Sequence, residues 1–168
     1  MAASNSFDVT TGVDMMEVQN AVDQASKEIA QRFDFKGLNV GIALDSKLKT
    51  ITLTAPDENR LAAAWDVLQS KMVKRKVPLK NLKPGKVESA AGSSSRQVVE
   101  IQDGLTSEQA REVVRCLKDA KLKRVQASIN AETVRVSGPD KDELQGAIAL
   151  LKQRDFGVEL KFGNYRSN

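Results

Sequence analysis

Clusters of lysine and arginine are the residues of this sequence whose type and spacing could do chemistry. The stretch KMVKRKVPLKNLKPGKV, residues 71–87, holds seven cations and no carboxylate, and RCLKDAKLKR, residues 115–124, holds five cations against Asp119 alone. Lysine and arginine bind phosphate groups directly because they supply both charge and hydrogen-bond donors. Both stretches also end predicted helices, where cations face the helix dipole favourably. The spacing therefore predicts a phosphate-binding surface or, as the alternative, ordinary helix ends.

Two further groups of side chains could recognise an anion or a base. Arg135 and Lys161 fall on the predicted open face of a sheet, where no helix dipole favours cations; the alternative is simple sheet solubility. Phe35, beside Arg32 and Lys36, could stack on a base, although most phenylalanines are core residues. With members of the two basic stretches, the candidate nucleotide-binding set is Arg32, Phe35, Lys36, Lys71, Lys74, Arg75, Lys121, Lys123, Arg124, Arg135 and Lys161.

Composition excludes several classes of chemistry. The 168 residues include no histidine and one cysteine, Cys116, so Ser-His-Asp and Cys-His mechanisms and a Cys/His zinc site are excluded. The phosphate-binding G-x-x-x-x-G-K-[ST] loop and the dinucleotide-binding G-x-G-x-x-G turn are both missing. We therefore expect no catalytic residue, no metal site, no cofactor and no enzymatic activity. A formal charge of +4 and a pI near 9.2 favour anionic partners weakly.

The sequence also predicts where the protein resides. No apolar run approaches the roughly 20 residues that cross a bilayer. The start of the chain, MAASNSFDVTTG, lacks the basic and apolar regions of a signal peptide. We expect a cytoplasmic protein without membrane association.

An internal repeat predicts the elements that position these side chains. Residues 50–71 and 133–154 align without a gap at an offset of 83, about half the chain. In each copy, alternating apolar residues predict a strand, a Pro-Asp pair follows, and helical spacing begins, with Asp57 and Asp140 as N-caps. The regions before each copy add a strand, a long helix and a second strand. Each copy is followed by a further predicted strand, which in the first half is the weaker VPLKNL, residues 77–82. The sequence thus predicts βαββαβ twice, an α+β protein of two tandem ferredoxin-like domains.

The polar, Gly/Ser-rich stretch KVESAAGSSSRQ, residues 86–97, predicts a flexible linker. We place the domains at 1–91 and 92–168, each with a four-stranded antiparallel sheet and two helices on one face. As an alternative, the N-terminal strand could pair with the C-terminal KFGNYR across the domains. The open faces carry threonines, serines and Arg135 without an aromatic platform, which argues against the usual RNA-stacking mode.

Motifs along nearly the whole chain resemble one bacterial family. They are SFDV, NAVDQASKEIAQRFDFKG, SKMVKR, DGLTSEQAREVVRCLKDAKLKRVQASI, VRVSG, DELQGAIALLK and LKFGNYR. These motifs, and the order in which they occur, are similar to those of the YajQ family. The resemblance implies tandem ribonucleoprotein-like domains and a non-enzymatic role in binding nucleotides or RNA, in some members cyclic di-GMP, with the signal passed to a transcriptional partner. GPDKDELQ, residues 138–145, departs from the more basic segment of the family and weakens an anion site beside Arg135.

The residues and the resemblance give one hypothesis and one alternative. The hypothesis is a nucleotide-binding protein whose ligand carries phosphate: cyclic di-GMP, a nucleoside triphosphate or RNA. The alternative is a protein–protein interaction module without a nucleotide ligand, whose open sheet faces pack on a partner.

Overall fold

The computed structural model describes residues 4–122 and 124–167, with the main chain alone at Phe33. The described residues form four α-helices: Met15–Gln31 (α1), Glu58–Lys74 (α2), Ser107–Asp119 (α3) and Lys141–Lys152 (α4). They also form nine strands: Asn5–Thr10 (β1), Gly41–Asp45 (β2), Thr50–Ala55 (β3), Leu82–Pro84 (β4), Glu88–Ser89 (β5), Ser95–Ile101 (β6), Gln126–Asn130 (β7), Thr133–Gly138 (β8) and Lys161–Arg166 (β9). None of these helices is long and apolar enough to span a membrane.

Each helix begins where a side-chain oxygen satisfies free amides of its first turn. Asp57 accepts from the amide of Arg60 at the start of α2, and Asp140 caps α4 in the same way. At α3, the Thr106 hydroxyl accepts from the Gln109 amide while the Gln109 side chain accepts from the Thr106 amide, a complete capping box. The caps predicted from the sequence are therefore confirmed.

The chain divides into two compact units, each with its own hydrophobic core. The central unit comprises residues 13–102, and the terminal unit comprises the residues up to Gly12 together with those from Asp103 onwards. The central sheet has the order β2-β3-β6-β4, with β5 also paired to β6, and the terminal sheet has the order β7-β8-β1-β9. Two helices accompany each sheet, α1 and α2 in the central unit and α3 and α4 in the terminal one. This is the predicted ferredoxin-like arrangement, twice.

The first strands of the two repeats are exchanged between the sheets. β1 directly precedes α1 in sequence, yet it lies between β8 and β9 of the terminal sheet. β6 directly precedes α3, yet it lies between β3 and β4 of the central sheet. Each sheet thus receives its first strand from the other repeat, and the chain passes from one unit to the other after β1 and again after β6.

Side-chain burial accounts for this exchange. Phe7 and Val9 of β1 are buried in one core with Val134 and Val136 of β8, whereas Val99 of β6 belongs to the other core. The division expected at 91/92 therefore differs from the two units of the structure, and the cross-domain pairing of β1 with KFGNYR, considered as an alternative, is the arrangement present.

Two local predictions are corrected. The expected linker, residues 86–97, contains β5 and the start of β6, which pair with each other as Glu88 with Arg96 and Ser89 with Ser95. The fourth strand expected at residues 77–82 is instead the short 3-10 helix Leu79–Asn81 followed by β4. Asn81 is fully buried and its side-chain amide donates to the Gln102 carbonyl, so a polar contact organises this turn.

Candidate functional site

Two of the predicted phosphate-binding cations join the helices of the central unit. The Lys71 Nζ lies 2.9 Å from a Glu28 carboxylate oxygen, and Arg75 lies 3.5 Å from a carboxylate oxygen of Glu17. Lys71 is largely buried, with 14% of its side chain exposed. Its hydrogen bond is the main cause that lowers the pKa of Glu28. These cations are already paired across α1 and α2, which is a structural role, while Lys74 at the same helix end is exposed.

Phe35, in the segment after α1, does not present its ring to a ligand. Phe35 is only 2% exposed and belongs to the core of the central unit, so the expected stacking role at the surface is wrong. The Arg32 guanidinium lies 5.0 Å from the centre of its ring and forms a two-point contact with Asp34, at 2.8 and 2.9 Å. That hydrogen bond lowers the pKa of Asp34. Lys36 is exposed.

On the open face of the terminal sheet, Arg135 is neutralised by a carboxylate. Its Nε donates to Asp8 Oδ1 at 3.0 Å, and the Asn164 amide donates to Asp8 Oδ2 at 2.7 Å. The Arg135 hydrogen bond is the largest cause that lowers the pKa of Asp8. Asp8 stands opposite Arg135 only because β1 is inserted beside β8. Lys161, opposite Thr10 at the edge, is exposed.

The structure does not bring the sequence-predicted residues to one cavity. In the central unit, Phe35 and Lys36 line a cleft beside α1 and β2. In the terminal unit, Lys121 lines a groove between α3 and β7, and Arg124 lies in the loop that follows. Lys123 lies outside the described residues.

A different cleft of the terminal unit gathers the groups that a nucleotide needs. It has a volume of about 230 Å³ and lies between β1, the start of α4 and the end of β9. Its lining residues are Asn5, Ser6, Phe7, Lys141, Leu144, Gln145, Ile148, Tyr165, Arg166 and Ser167. This set combines apolar side chains, amides, hydroxyls, two cations and an aromatic ring, and it contains no carboxylate. We call it the α4–β9 cleft.

An irregularity in β9 places the aromatic ring in this cleft. Phe162 pairs with Val9 on the helix-covered side of the sheet, so strict alternation would turn Tyr165 to the opposite side. The register between β1 and β9 shifts between Ser6 and Asp8, and Asn164 of β9 has a positive φ of 51°. Tyr165 therefore lies beside Phe7, with ring centroids 6.3 Å apart, and remains 62% exposed.

Sequence reasoning missed Tyr165, Lys141 and Arg166. The sequence feature that could have pointed to Tyr165 is the motif LKFGNYR, which contains the one tyrosine of the chain. Lys161 is the one member of this motif in the candidate nucleotide-binding set. Gly163 precedes Asn164, and a glycine within a strand often marks a bulge, but the residue types do not show which side chain such a bulge turns into a cleft.

The described residues hold no group of three or more His, Cys, Asp or Glu side chains that could bind a metal. Asp140, the N-cap residue of α4 next to the cleft residue Lys141, accepts from the amide of Asp142. The arrangement can therefore bind an aromatic anion through stacking and charge.

Known proteins match this sequence over nearly its whole length. The sequence matches the family described as "Nucleotide-binding protein YajQ-like" over residues 5–166. It is 51% identical to a nucleotide-binding protein of Koribacter versatilis over 166 residues, covering 99% of both chains. It is 50% identical to a nucleotide-binding protein of Carboxydothermus hydrogenoformans, covering 99% of this chain and 100% of the relative, and 47% identical to one of Geotalea daltonii, covering 96% and 98%. The chain belongs to the YajQ-like family of nucleotide-binding proteins.

Proposed function

We propose that this chain is a cytoplasmic, non-enzymatic nucleotide-binding protein whose α4–β9 cleft holds a base and a phosphate of its ligand. One observation carries the proposal: an exposed tyrosine ring and two cations line one apolar cleft that has no carboxylate in its lining. The names of the relatives support nucleotide binding as the class of function.

The base fits the apolar part of the cleft. A planar base stacks on aromatic side chains with about 1–3 kcal/mol per base, and Tyr165 offers an exposed ring above a floor of Phe7, Leu144 and Ile148. The Asn5 amide already donates to the Pro139 carbonyl, which leaves its side-chain oxygen as an acceptor for an exocyclic amine. The Gln145 amide supplies a second donor and acceptor.

The phosphate fits the mouth of the cleft. Lys141 and Arg166 line it and are both exposed. Arginine binds phosphate through two parallel N–H groups, and lysine acts as a point charge. Arg166 also lies close enough to Asp8 to lower the pKa of that carboxyl, but Asp8 is already held by Arg135 and Asn164. The guanidinium of Arg166 is therefore available to an anion.

The size of the cleft limits what it encloses. A volume of about 230 Å³ is below the roughly 300–1,000 Å³ of typical ligand pockets. It accommodates one base with its sugar at the rim, so a cyclic dinucleotide, a nucleoside triphosphate or an RNA would place one nucleotide there and leave the remainder outside. Transfer of the resulting signal to a transcriptional partner belongs to the same hypothesis.

Titration calorimetry of the full-length protein tests the proposal with GMP, GTP, cyclic di-GMP and a short RNA at two salt concentrations. We expect binding of at least one ligand that weakens with salt. For that ligand, Tyr165→Leu should weaken binding roughly 5- to 150-fold, the equivalent of the stacking energy, and Arg166→Gln should reduce the salt dependence.

Lys74→Gln is the matched control, because Lys74 is an exposed cation of the other unit. It should leave affinity unchanged. If Lys74→Gln loses binding while Tyr165→Leu binds fully, the site lies at the helix ends of the central unit instead of the α4–β9 cleft. If none of the four ligands shows salt-sensitive binding, the proposed function is refuted.

A further inference from the structure

The edge strand β7 lacks the features that normally keep a sheet edge from pairing. Natural edges are shortened, bulged, or marked with charge or proline. Among the described residues, β4 is three residues long and ends in Pro84, β9 has the irregularity at Asn164, and β2 ends in Asp45. β7 reads QASIN: it has no charge, no proline and an unbroken register with β8.

The main-chain groups on the outer side of β7 can accept another strand. A two-residue turn, Ala131 and Glu132, closes the hairpin at the pair Asn130–Thr133. In an antiparallel hairpin of this kind, hydrogen bonds to the neighbour alternate along the strand. The N–H and C=O groups of Ala127 and Ile129 therefore point away from β8. Within the described part of the chain, no strand pairs with this side of β7.

An apolar groove with two lysines runs beside this edge. It lies between α3 and β7, has a volume of about 460 Å³, and is lined by Leu117, Lys118, Lys121, Leu122, Val125, Gln126 and Ala127. Ile129 is next on the same side of the strand, since it pairs with buried Val134, and it is 47% exposed. An added strand would thus meet a row of apolar side chains on this side and cations at its margin. We call this surface the β7 groove.

We propose that the β7 groove binds an acidic, extended segment of a partner protein as an additional strand of the terminal sheet. Alternate apolar side chains of the segment would cover Ala127 and Ile129, and its carboxylates would face Lys118 and Lys121. Charge complementarity selects this occupant, because Asp119, the one acid between these lysines in sequence, does not line the groove.

Two other occupants fit less well. A second copy of this chain, paired β7 to β7 about a two-fold axis, would place both pairs of lysines on the same side of the joined sheet, where like charges repel. A single-stranded nucleic acid would find no aromatic side chain in the groove on which to stack a base and would leave the main-chain groups of β7 unused.

Selection from a displayed library of random twelve-residue peptides on the full-length protein tests the proposal, with counter-selection on Ala127→Pro. Proline at an outward-facing position removes the donor and is tolerated on an edge strand. We expect enriched sequences with alternating apolar residues and an excess of Asp and Glu. A peptide with an enriched sequence is then synthesised. Its Kd should rise at least tenfold in the double variant Lys118→Glu/Lys121→Glu, and it should also rise with increasing salt.

Lys152→Glu is the matched charge control, since Lys152 lies on α4 of the same unit outside the β7 groove and the α4–β9 cleft. It should leave the Kd unchanged. The proposal is overturned if no peptide is enriched over Ala127→Pro, if the winners show no acidic excess, or if Lys118→Glu/Lys121→Glu binds them as well as the wild type does. Sedimentation that shows a dimer abolished by Ala127→Pro, or a twelve-nucleotide RNA that displaces the peptide, would assign the groove to a different occupant.

Discussion

Replacement of Phe7 by alanine should destabilise the half of the molecule that is distant in sequence. Phe7 lies in the N-terminal strand, a few residues before α1, but its side chain is 1% exposed in the core of the terminal unit. The matched variant is Val99→Ala in β6, which precedes α3 in sequence but is fully buried in the core of the central unit. The two substitutions should therefore act on opposite units from those that sequence proximity suggests.

The magnitudes follow from burial. Truncation of a buried phenylalanine to alanine costs about 3–5 kcal/mol, because transfer energy is lost and a cavity remains. Val99→Ala removes the equivalent of two methylene groups, about 1.6 kcal/mol of transfer energy plus a cavity term, or about 2–3 kcal/mol. Since each 1.4 kcal/mol is a factor of ten, Phe7→Ala should accelerate the slowest amide exchange of its unit roughly a hundred- to several-thousand-fold.

Native-state hydrogen exchange measures this effect for each unit. Phe7→Ala should accelerate the amides of β8 and α4 most strongly, and Val99→Ala those of β3 and α2. The single tryptophan, Trp65 in α2, packs against the central core and gives an independent fluorescence signal for that unit. If Phe7→Ala accelerates exchange in β3 and α2 more than in β8 and α4, the strand exchange is refuted.

Three further predictions follow from contacts described above. A fragment of residues 13–102 should fold and show cooperative thermal unfolding by circular dichroism, whereas residues 1–91 should not, because the latter lack β6 from the middle of their sheet. Asp8→Asn should cost about 1.5 kcal/mol at neutral pH, at the low end for hydrogen bonds to charged groups because Arg135 is 35% exposed. The Asp8 pKa is lower in the folded state than its usual 3.8, so this stabilisation is present above that pH and is lost as the pH falls through the folded pKa; urea titrations should show the variant and wild type converging in acid. Thr106→Ala, which removes one half of the α3 capping box, should cost about 1 kcal/mol and lower the Tm by roughly 2–4 °C in calorimetry; an unchanged Tm would mean that the cap contributes nothing.

The sequence predicted the elements well because their signals are local. The alternation of Ile51 and Leu53 with threonines predicted β3, and the Pro-Asp pairs predicted where α2 and α4 begin. It did not predict which sheet each first strand joins. β1 and β6 carry the same alternation of buried residues, Phe7 with Val9 and Val99 with Ile101. The alternation alone therefore does not show which of the two cores each strand joins.

The candidate site was harder to predict because a sequence does not show whether a lysine or arginine is paired with a carboxylate. Lys71, Arg75 and Arg135 look like free cations in the sequence, yet each lies within 3.5 Å of a carboxylate oxygen from another element. Tyr165 was missed for the opposite reason. Its position depends on one shift in the pairing of β9, which moves a side chain from one side of the sheet to the other without a change in composition.

The exchange of strands also has a consequence for synthesis of the chain. Asn5 in β1 donates its amide to the carbonyl of Pro139, 134 residues later. At roughly 5–20 residues per second, a ribosome needs about 7–27 s to make that interval. The central unit can complete its sheet within this time, since all its strands lie within residues 13–102. During this interval β1 lacks its neighbours β8 and β9, so Phe7 and Val9 stay uncovered, and we expect chaperones that recognise short apolar strands to bind this segment during synthesis.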